Sequence, residues 1–261
     1  MDFQNVKDIT INGTNCVIDI TRGDSDICSF VSAKEKSFDV QNDKGTLTVT
    51  QRSSAILYRI IMKRFEFKLI LPKNFKGRLR FRNKNGGLYI KNCDFTEMEL
   101  SAKNCKFDIK NVTCLGLGLK TKNGSMDIQR VTASDAVTVK CANGNVKAET
   151  VISPSLEISC SNAGVTAIDI KSDKIICSTR NGTVDASAVA CSELKLDASN
   201  GKITAMILGS RDDYRMSLET SNGGIMVDGT PSKKVADASS VIKKRITART
   251  SNGDIDIKFI A

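Results

Sequence analysis

Residues 121–128 read TKNGSMDI, and this pattern of an asparagine turn followed by alternating apolar residues recurs along most of the chain. Other copies are NKNGGLYI at 83–90, TRNGTVDA at 179–186 and TSNGDIDI at 250–257. The asparagines that align the copies are spaced by 19, 19, 20, 19, 19, 19, 22 and 30 residues. They are Asn85, Asn104, Asn123, Asn143, Asn162, Asn181, Asn200, Asn222 and Asn252. A sustained period of this length indicates a repeat architecture.

Each repeat carries the alternation of a β-strand on both sides of its asparagine. Three and five residues after the asparagine every copy is apolar, as at Met126 and Ile128, whereas the residue between them is mostly polar, as at Asp127. Six residues before the asparagine every copy is apolar again, as at Leu117. An apolar residue eight positions after the first seven asparagines suggests a third inward face. The sequence therefore predicts short strands that share one core.

Two architectures fit this pattern. Seven of the nine asparagines precede glycine, and Asn-Gly supplies the positive φ of a tight hairpin turn, so an antiparallel meander is one interpretation. A meander has no reason to keep its period, whereas coils that stack strand on strand must keep it. The near-constant spacing favours an all-β fold, a single-stranded parallel β-solenoid (β-helix) of about nine 19-residue coils with an N-terminal β cap.

The two ends of the chain depart from the period. Residues 1–77 hold turn signals at Asn12-Gly13 and Lys44-Gly45, and we interpret them as an N-terminal β cap continuous with the solenoid. Residues 78–261 form the solenoid repeats, with a loop insertion at about 228–245 where the spacing grows to 30. The last coil, from Asn252 to Ala261, has no visible cap. It is therefore expected to offer an edge through which copies stack end to end as a homo-oligomer.

The strand FEFKLILP at 65–72, the basic alternation after it and the serial asparagine-glycine coils resemble the bacterial putative adhesin family. The resemblance covers roughly residues 40–261. It implies a β-strand-repeat domain of unknown function, related to the head domain of putative auto-transporter adhesins. It implies no catalytic residues, because none are established in that family. It also implies export or membrane tethering, which is common among the family's members.

The composition removes most catalytic and metal chemistries. There is no histidine, so the base of Ser-His-Asp and Cys-His sites is missing, and no glycine-rich phosphate loop occurs. Nine cysteines without a C-x-x-C pair predict no metal and no cofactor. We expect reduced, buried thiols that act as small apolar side chains. Cys141 and Cys160 lie at the same position of adjacent coils, where a disulfide is the less favoured alternative.

One pair of carboxylates remains as a catalytic candidate. Asp108 and Asp127 share an outward position in adjacent coils, about 5 Å apart, which is the arrangement of some glycan-cleaving enzymes. The same position holds Tyr89, Lys147 and Thr166 in other coils. Ordinary solvated strand residues are therefore the favoured interpretation, and the chain is predicted not to be an enzyme.

The net charge of +10 is concentrated in one segment. Residues 59–84 hold ten basic side chains against one acidic side chain. Four of them alternate with apolar residues and would form one outward stripe on a strand, and these are Arg78, Arg80, Arg82 and Lys84. The stripe predicts contact with an anionic partner, and the alternative is a charged edge that prevents unwanted strand pairing.

The leading functional hypothesis is a non-catalytic, adhesin-like binding module for a protein or an anionic polymer. The alternative is an intracellular self-assembling scaffold that stacks through its C-terminal coil. Aromatic residues make up only 5% and tryptophan is absent, so sequence-specific nucleic-acid binding is not expected. No run reaches the ~20 apolar residues of a transmembrane segment. No leader is visible either, which predicts a cytoplasmic protein as the chain stands, or an exported one if a leader was removed.

Overall fold

The computed structural model describes residues 1–52, 64–233, 235–236 and 242–260. Arg59 and Lys63 of the basic segment, part of the 228–245 insertion and Ala261 lie outside the described residues. The strands are, in chain order, β1 Asp2–Phe3, β2 Asp8–Asn12, β3 Asn15–Arg22, β4 Cys28–Val31, β5 Phe38–Asp43, β6 Thr46–Gln51, β7 Phe65–Leu71, β8 Arg78–Asp94, β9 Glu97–Cys114, β10 Gly116–Asn123, β11 Met126–Ala133, β12 Val137–Asn143, β13 Val146–Cys160, β14 Val165–Asn181, β15 Val184–Ala190, β16 Glu193–Asn200, β17 Ile203–Leu208, β18 Tyr214–Asn222, β19 Ile225–Val227, β20 Thr230–Ser232, β21 Val235–Ala236, β22 Lys244–Asn252 and β23 Ile255–Ile260. Two short 3-10 helices span Glu35–Ser37 and Arg211–Asp213.

Consecutive repeats lie strand on strand with parallel pairing. Asn123 of β10 is opposite Asn104 of β9 on one side and Asn143 of β12 on the other. The register continues past the turn, where Met126 of β11 is opposite Phe107 of β9. The 19-residue period is thus the length of chain that returns to the same position one strand spacing further along the stack, about 4.8 Å. The predictions of an all-β and solenoid-like fold are confirmed.

The N-terminal end of the stack does not follow chain order. β2 and β3 form a coil that pairs in parallel with β8 on one side and with β6 and β7 on the other. Antiparallel β5 covers the outer edge of β6, and the turn between them uses Lys44 and Gly45 with φ of 48° and 88°. Antiparallel β4 covers β7. Because these strands occupy the outer edges, the β6–β7 coil can only stand at the end.

The C-terminal end shows the same exchange of order. β22 and β23 pair with β16 and β17 on one side and with β18 and β19 on the other. β20 and β21 fold back antiparallel on β19 and β18. The β18–β19 coil is therefore terminal, and the coil that follows it in sequence takes the inner place. The prediction that the C-terminal coil leaves a stacking edge is wrong, because residues 245–252 and 255–257 are paired along both edges.

A single hydrophobic core runs through all of these coils. The inward positions predicted by the alternation are buried, as at Ile18, Leu88 and Val184. The rings of Phe81 and Phe107 meet edge to face with centroids 5.8 Å apart. Burying each large apolar side chain contributes about 1.5–3 kcal/mol, so the stack is stabilised mainly through this core.

The glycines of the Asn-Gly turns serve two purposes. At Gly86, Gly124 and Gly144 the φ values are 126°, 133° and 156°, as the turn interpretation requires, but the glycines of the other four Asn-Gly pairs of the repeats do not have positive φ. Gly201 has a φ outside the left-handed region, but a Cβ there would lie 1.8 Å from the carbonyl oxygen of Gly182 in the adjacent coil. Close approach of neighbouring backbones, and not turn conformation, is what demands glycine at this position.

A second set of equivalent positions, one in each of several coils, has left-handed backbone conformation although none of its residues is glycine. It lies seven residues after the ladder asparagines, where φ is between 52° and 56° in six successive coils. The residues are Asn92, Asn111, Arg130, Thr150, Asp169 and Ala188. Left-handed backbone is strained for Thr and Ala, so the neighbouring coils must hold the chain in this shape.

All nine cysteines are buried free thiols. Burial raises the pKa of Cys177 and of Cys93 from 9.0 to about 12 in each case. Burial also raises the pKa of Cys16 and of Cys114 to about 11. The low polarity around these sulfur atoms disfavours the thiolate, so they are predicted to be unreactive while the protein is folded.

We expect the free energy of unfolding to fall as the pH rises above about 9, the ordinary cysteine pKa near which an unfolded thiol loses its proton. The folded state keeps these thiols protonated, so above that pH it binds more protons than the unfolded state and is penalised by rising pH. The measurement is the thermal midpoint between about pH 7 and pH 11 in reducing buffer, with ultraviolet thiolate absorbance followed in parallel. Thiolate absorbance at about pH 10 with the midpoint unchanged would contradict this expectation.

Candidate anion-binding face

The predicted turn asparagines form a ladder of side-chain amides along the stack. Each Nδ2 donates to the Oδ1 of the neighbouring coil, as from Asn143 to Asn123 at 2.8 Å and from Asn200 to Asn181 at 2.8 Å. The structure places all seven predicted residues in it, namely Asn85, Asn123, Asn143, Asn181, Asn200, Asn222 and Asn252. Asn15, Asn104 and Asn162 complete it. Because every amide is used by its neighbours, the ladder is a structural element and not a binding site.

A column of donors two residues before the ladder supports the same corner. Thr179 Oγ1 donates to the carbonyl of Ala163 at 2.8 Å, and Thr250 Oγ1 donates to Gly201 at 3.0 Å. Cys141 Sγ takes the same role towards Gly124 at 3.5 Å. These hydroxyl and thiol groups satisfy turn carbonyls that the strand ladders leave open.

The basic stripe on β8 is only partly available to a partner. Arg78 Nε lies 2.9 Å from Glu97 Oε2, and Arg80 Nε lies 3.3 Å from Glu99 Oε2 in the next coil. Arg82 and Lys84 are exposed and have no acidic group within ion-pair distance among the described residues. Half of the predicted stripe is therefore neutralised by the coil that stacks on it.

The unneutralised cations continue across the following coils. Lys103 and Lys122 occupy the position of Lys84 in the two next coils, because the residues on either side of them are paired in register. Two residues before Lys122 on the same strand, Lys120 is directly opposite Lys140. We call the set Arg82, Lys84, Lys103, Lys120, Lys122 and Lys140 the basic face.

The basic face combines high positive charge with small side chains beside the lysines. All six of its side chains are exposed, and the carboxylate within ion-pair distance of it is Glu157, which lies 3.9 Å from Lys140 Nζ, within the described residues. A shallow cleft of about 390 Å³ runs beside Lys120, Lys122 and Lys140 over small side chains such as Ser159. Such a surface attracts anions through charge and leaves room for a chain to lie against the sheet.

Stacking like charges in register destabilises a sheet. The column of Lys120 and Lys140 is interrupted by Ser101 on one side and Ser159 on the other, whereas Lys84, Lys103 and Lys122 stack directly on one another. The lysines that stack in register therefore carry a repulsive cost within the sheet. Sequence reasoning missed Lys103, Lys120, Lys122 and Lys140, although their positions one or three residues before a ladder asparagine would have revealed them.

The two carboxylates considered for catalysis both lie within ion-pair distance of Lys110. Asp127 is opposite Asp108 as predicted, and Lys110 Nζ lies 3.1 Å from Asp108 Oδ1 and 3.8 Å from Asp127 Oδ2. Gln129 Nε2 also donates to Asp127 at 3.1 Å. Asp108 is buried, so the interpretation of the pair as ordinary solvated strand residues is wrong for Asp108, whose charge is compensated by the ion pair with Lys110.

The described residues contain no cluster of side chains that could bind a metal ion. Among residues 1–52, 64–233, 235–236 and 242–260, no three cysteine, aspartate or glutamate side chains cluster as metal ligands would. Cys141 is opposite Cys160 as the shared phase predicts, and both are free thiols. The hydrogen bond from the Cys160 thiol lowers the pKa of Cys141, although Cys141 is buried at the base of the cleft.

A protein-family model described as Toastrack DUF4097 matches residues 6–258, which is nearly the whole chain. The chain belongs to the Toastrack DUF4097 family. Among solved structures, this Toastrack chain is similar to a putative adhesin from Parabacteroides merdae ATCC 43184, with a TM-score of 0.54, 10% identity, and 100% of this chain and 94% of that chain covered. It is also similar to a putative adhesin from Bacteroides fragilis NCTC 9343, with a TM-score of 0.48, 12% identity, and coverage of 100% and 95%. No curated protein matches it.

At 10% identity the first likeness shows a shared fold and nothing about residues or ligands. The family match agrees with the resemblance inferred from the strand FEFKLILP and the serial coils. No helix in the described part of the Toastrack chain is long and apolar enough to cross a membrane.

Proposed function

We propose that this Toastrack protein is a non-catalytic, adhesin-like binding module that holds an anionic polymer on its basic face. The proposal treats the stack as a single-stranded parallel β-solenoid whose regular part begins near residue 78, with residues 1–77 forming its N-terminal end. The observation that supports it most is the column of Lys84, Lys103 and Lys122, three exposed cations in register without acidic partners among the described residues.

Charge is the main recognition element that this face offers. Phe81 lines a cleft together with Arg82 and Lys120 but is fully buried, so its ring is not available for stacking of sugars or bases. The hydroxyls of Ser101, Ser159 and Ser161 supply further donors close to the cleft. A linear chain that carries phosphate, sulfate or carboxylate groups matches this chemistry, and affinity should depend strongly on salt.

The proposal assigns no chemistry to the bound partner. The histidine-free sequence lacks a common general base, and the Asp108–Asp127 pair is neutralised by Lys110. A binding role also agrees with the name of the Parabacteroides neighbour, a putative adhesin. End-to-end assembly through the C-terminal coil is not supported, because both edges of residues 245–252 and 255–257 are in use.

The test is binding of fluorescent inorganic polyphosphate to the wild-type chain and to the triple variant Lys103→Gln, Lys120→Gln, Lys122→Gln. Removing three contacts should weaken binding about 100-fold at low salt and reduce the slope of log affinity against log salt by about 2. A matched variant, Lys44→Gln, Lys171→Gln, Lys258→Gln, removes the same charge from exposed positions elsewhere and should bind nearly as the wild type does.

Equal weakening by the two triple variants would mean that net charge, and not the basic face, drives binding, and would refute the proposal. Binding of an acidic protein fragment with no measurable affinity for polyphosphate or a sulfated glycan would replace the polymer with a protein partner. Thermal midpoints of both variants should stay within a few degrees of the wild type, since the changed residues are exposed.

A further inference from the structure

The asparagine ladder contains a chemical weak point at its C-terminal end. An asparagine followed by glycine is prone to cyclisation, because a glycine nitrogen reaches the side-chain carbonyl carbon without obstruction from a Cβ. The reaction needs a mobile asparagine side chain and a free N–H on the next residue. Both conditions can be checked for each rung of the ladder.

The interior rung at Asn200 meets neither condition. The side chain of Asn200 donates to Asn181 Oδ1 at 2.8 Å and accepts from Asn252 Nδ2 at 2.7 Å, so its amide is held from both sides. The N–H of Gly201 donates to the carbonyl oxygen of Asn252 at 3.0 Å. The nucleophile and the carbon that it would attack are therefore both held by neighbouring coils.

The terminal rung differs at both groups. Asn222 Nδ2 donates to Asn252 Oδ1 at 2.9 Å, but no described residue donates to Asn222 Oδ1. The N–H of Gly223 makes no hydrogen bond to any described residue. Both residues are exposed. The exchange of coil order puts this pair, rather than Asn252-Gly253, on the outside of the stack.

We propose that Asn222 is a site of spontaneous deamidation, which the ladder suppresses at the interior Asn-Gly pairs. The Gly223 amide nitrogen bonds to Cγ of Asn222, and Nδ2 leaves as ammonia with the proton that the Gly223 nitrogen loses. Water then opens the five-membered imide at either carbonyl and leaves aspartate or isoaspartate. No oxidant, reductant or enzyme is required.

The product would end the ladder one rung earlier. A carboxylate at position 222 has no N–H to donate, so Asn252 Oδ1 loses its partner and one negative charge is added beside it. The change is confined to the terminal coil, which marks the age of a molecule without disturbing the core.

The comparison that tests this inference is internal, because Asn85-Gly86-Gly87 and Asn222-Gly223-Gly224 have the same local sequence. Asn85 is an interior rung, with hydrogen bonds of 2.6 Å to Asn15 and from Asn104. Folded protein is incubated at mildly alkaline pH, and both sites are followed by peptide mass mapping and isoaspartate detection. We expect Asn222 to convert at least about tenfold faster than Asn85, since about two hydrogen bonds protect the latter.

The same incubation in denaturant is the control, where the two sites should convert at similar rates. Equal rates in the folded protein would overturn the inference, as would faster conversion of Asn85. A preference for Asn222 that persists in denaturant would also overturn it, because flanking residues would then be the cause. None of these outcomes depends on the anionic partner.

Discussion

Replacing Gly201 with alanine is expected to lower the free energy of unfolding by about 3 kcal/mol. The new Cβ would lie 1.8 Å from the carbonyl oxygen and 2.6 Å from the carbonyl carbon of Gly182. That contact is with backbone, so no side-chain rotation can relieve it, and the two coils must move apart. Their separation would weaken the strand ladder and the asparagine hydrogen bonds on both sides. Denaturant unfolding followed by circular dichroism measures the change.

Gly116→Ala is the matched control for this prediction. A Cβ there would meet no atom closer than 3.8 Å, from the carbonyl of Ala136. Alanine also restricts the unfolded chain more than glycine does, so this variant should be neutral or slightly more stable. Equal loss of stability in the two variants would show that close approach of the coils is not the reason for glycine at position 201.

Ending the chain after residue 243 is expected to unfold more than the coil that it deletes. The deletion removes Ile246, Ile255 and Ile257, all fully buried, which contribute roughly 2 kcal/mol each. It also removes the inner neighbour of β18 and β19, whose outer edges are paired, as far as the described residues show, with the short strands β20 and β21 alone. Hydrogen exchange should therefore show loss of protection over Tyr214–Val227 as well.

A chain that ends after residue 208 is the reference for this truncation. Both shortened chains should unfold at the same midpoint, because the Tyr214–Val227 coil adds nothing without β22 and β23. The opposing outcome is that this coil docks directly on β16 and β17, which would restore protection and raise the midpoint above that of the reference. That result would show that the exchanged order is not required for the end of the stack to fold.

The regular part of the fold was predictable because its information is local in sequence. Alternation defines which side chains face inward, and the period of 19 defines which residues become neighbours in adjacent coils. The order of coils at the ends was not predictable from these signals. Whether a coil is terminal depends on hairpins such as β5–β6, in which an antiparallel strand occupies one edge of the coil. The period of the sequence does not indicate which coils have such a strand.

The candidate site was predictable only in part for a related reason. Alternation along β8 revealed the stripe from Arg78 to Lys84, but the neutralising Glu97 and Glu99 lie in the next coil. The left-handed column was missed because its residues share a position and not a residue type, with Thr150 and Ala188 among them. Comparing the residues at equivalent positions of successive repeats would have revealed the basic face. It would not have revealed the residues with left-handed backbone.

The exchange of order at the C-terminal end also determines how the rod would bear tension. In a stack that follows chain order, a pull on the last residue peels away one coil along a single ladder, bond by bond. Here a pull on the C-terminal end first meets residues 258–260 of β23, which pair with β17 alone, and then residues 245–257 of β22 and β23, which are hydrogen-bonded to a coil on each side. Two ladders must yield together, so an anchorage at this end would hold against forces that unravel an ordinary terminal coil.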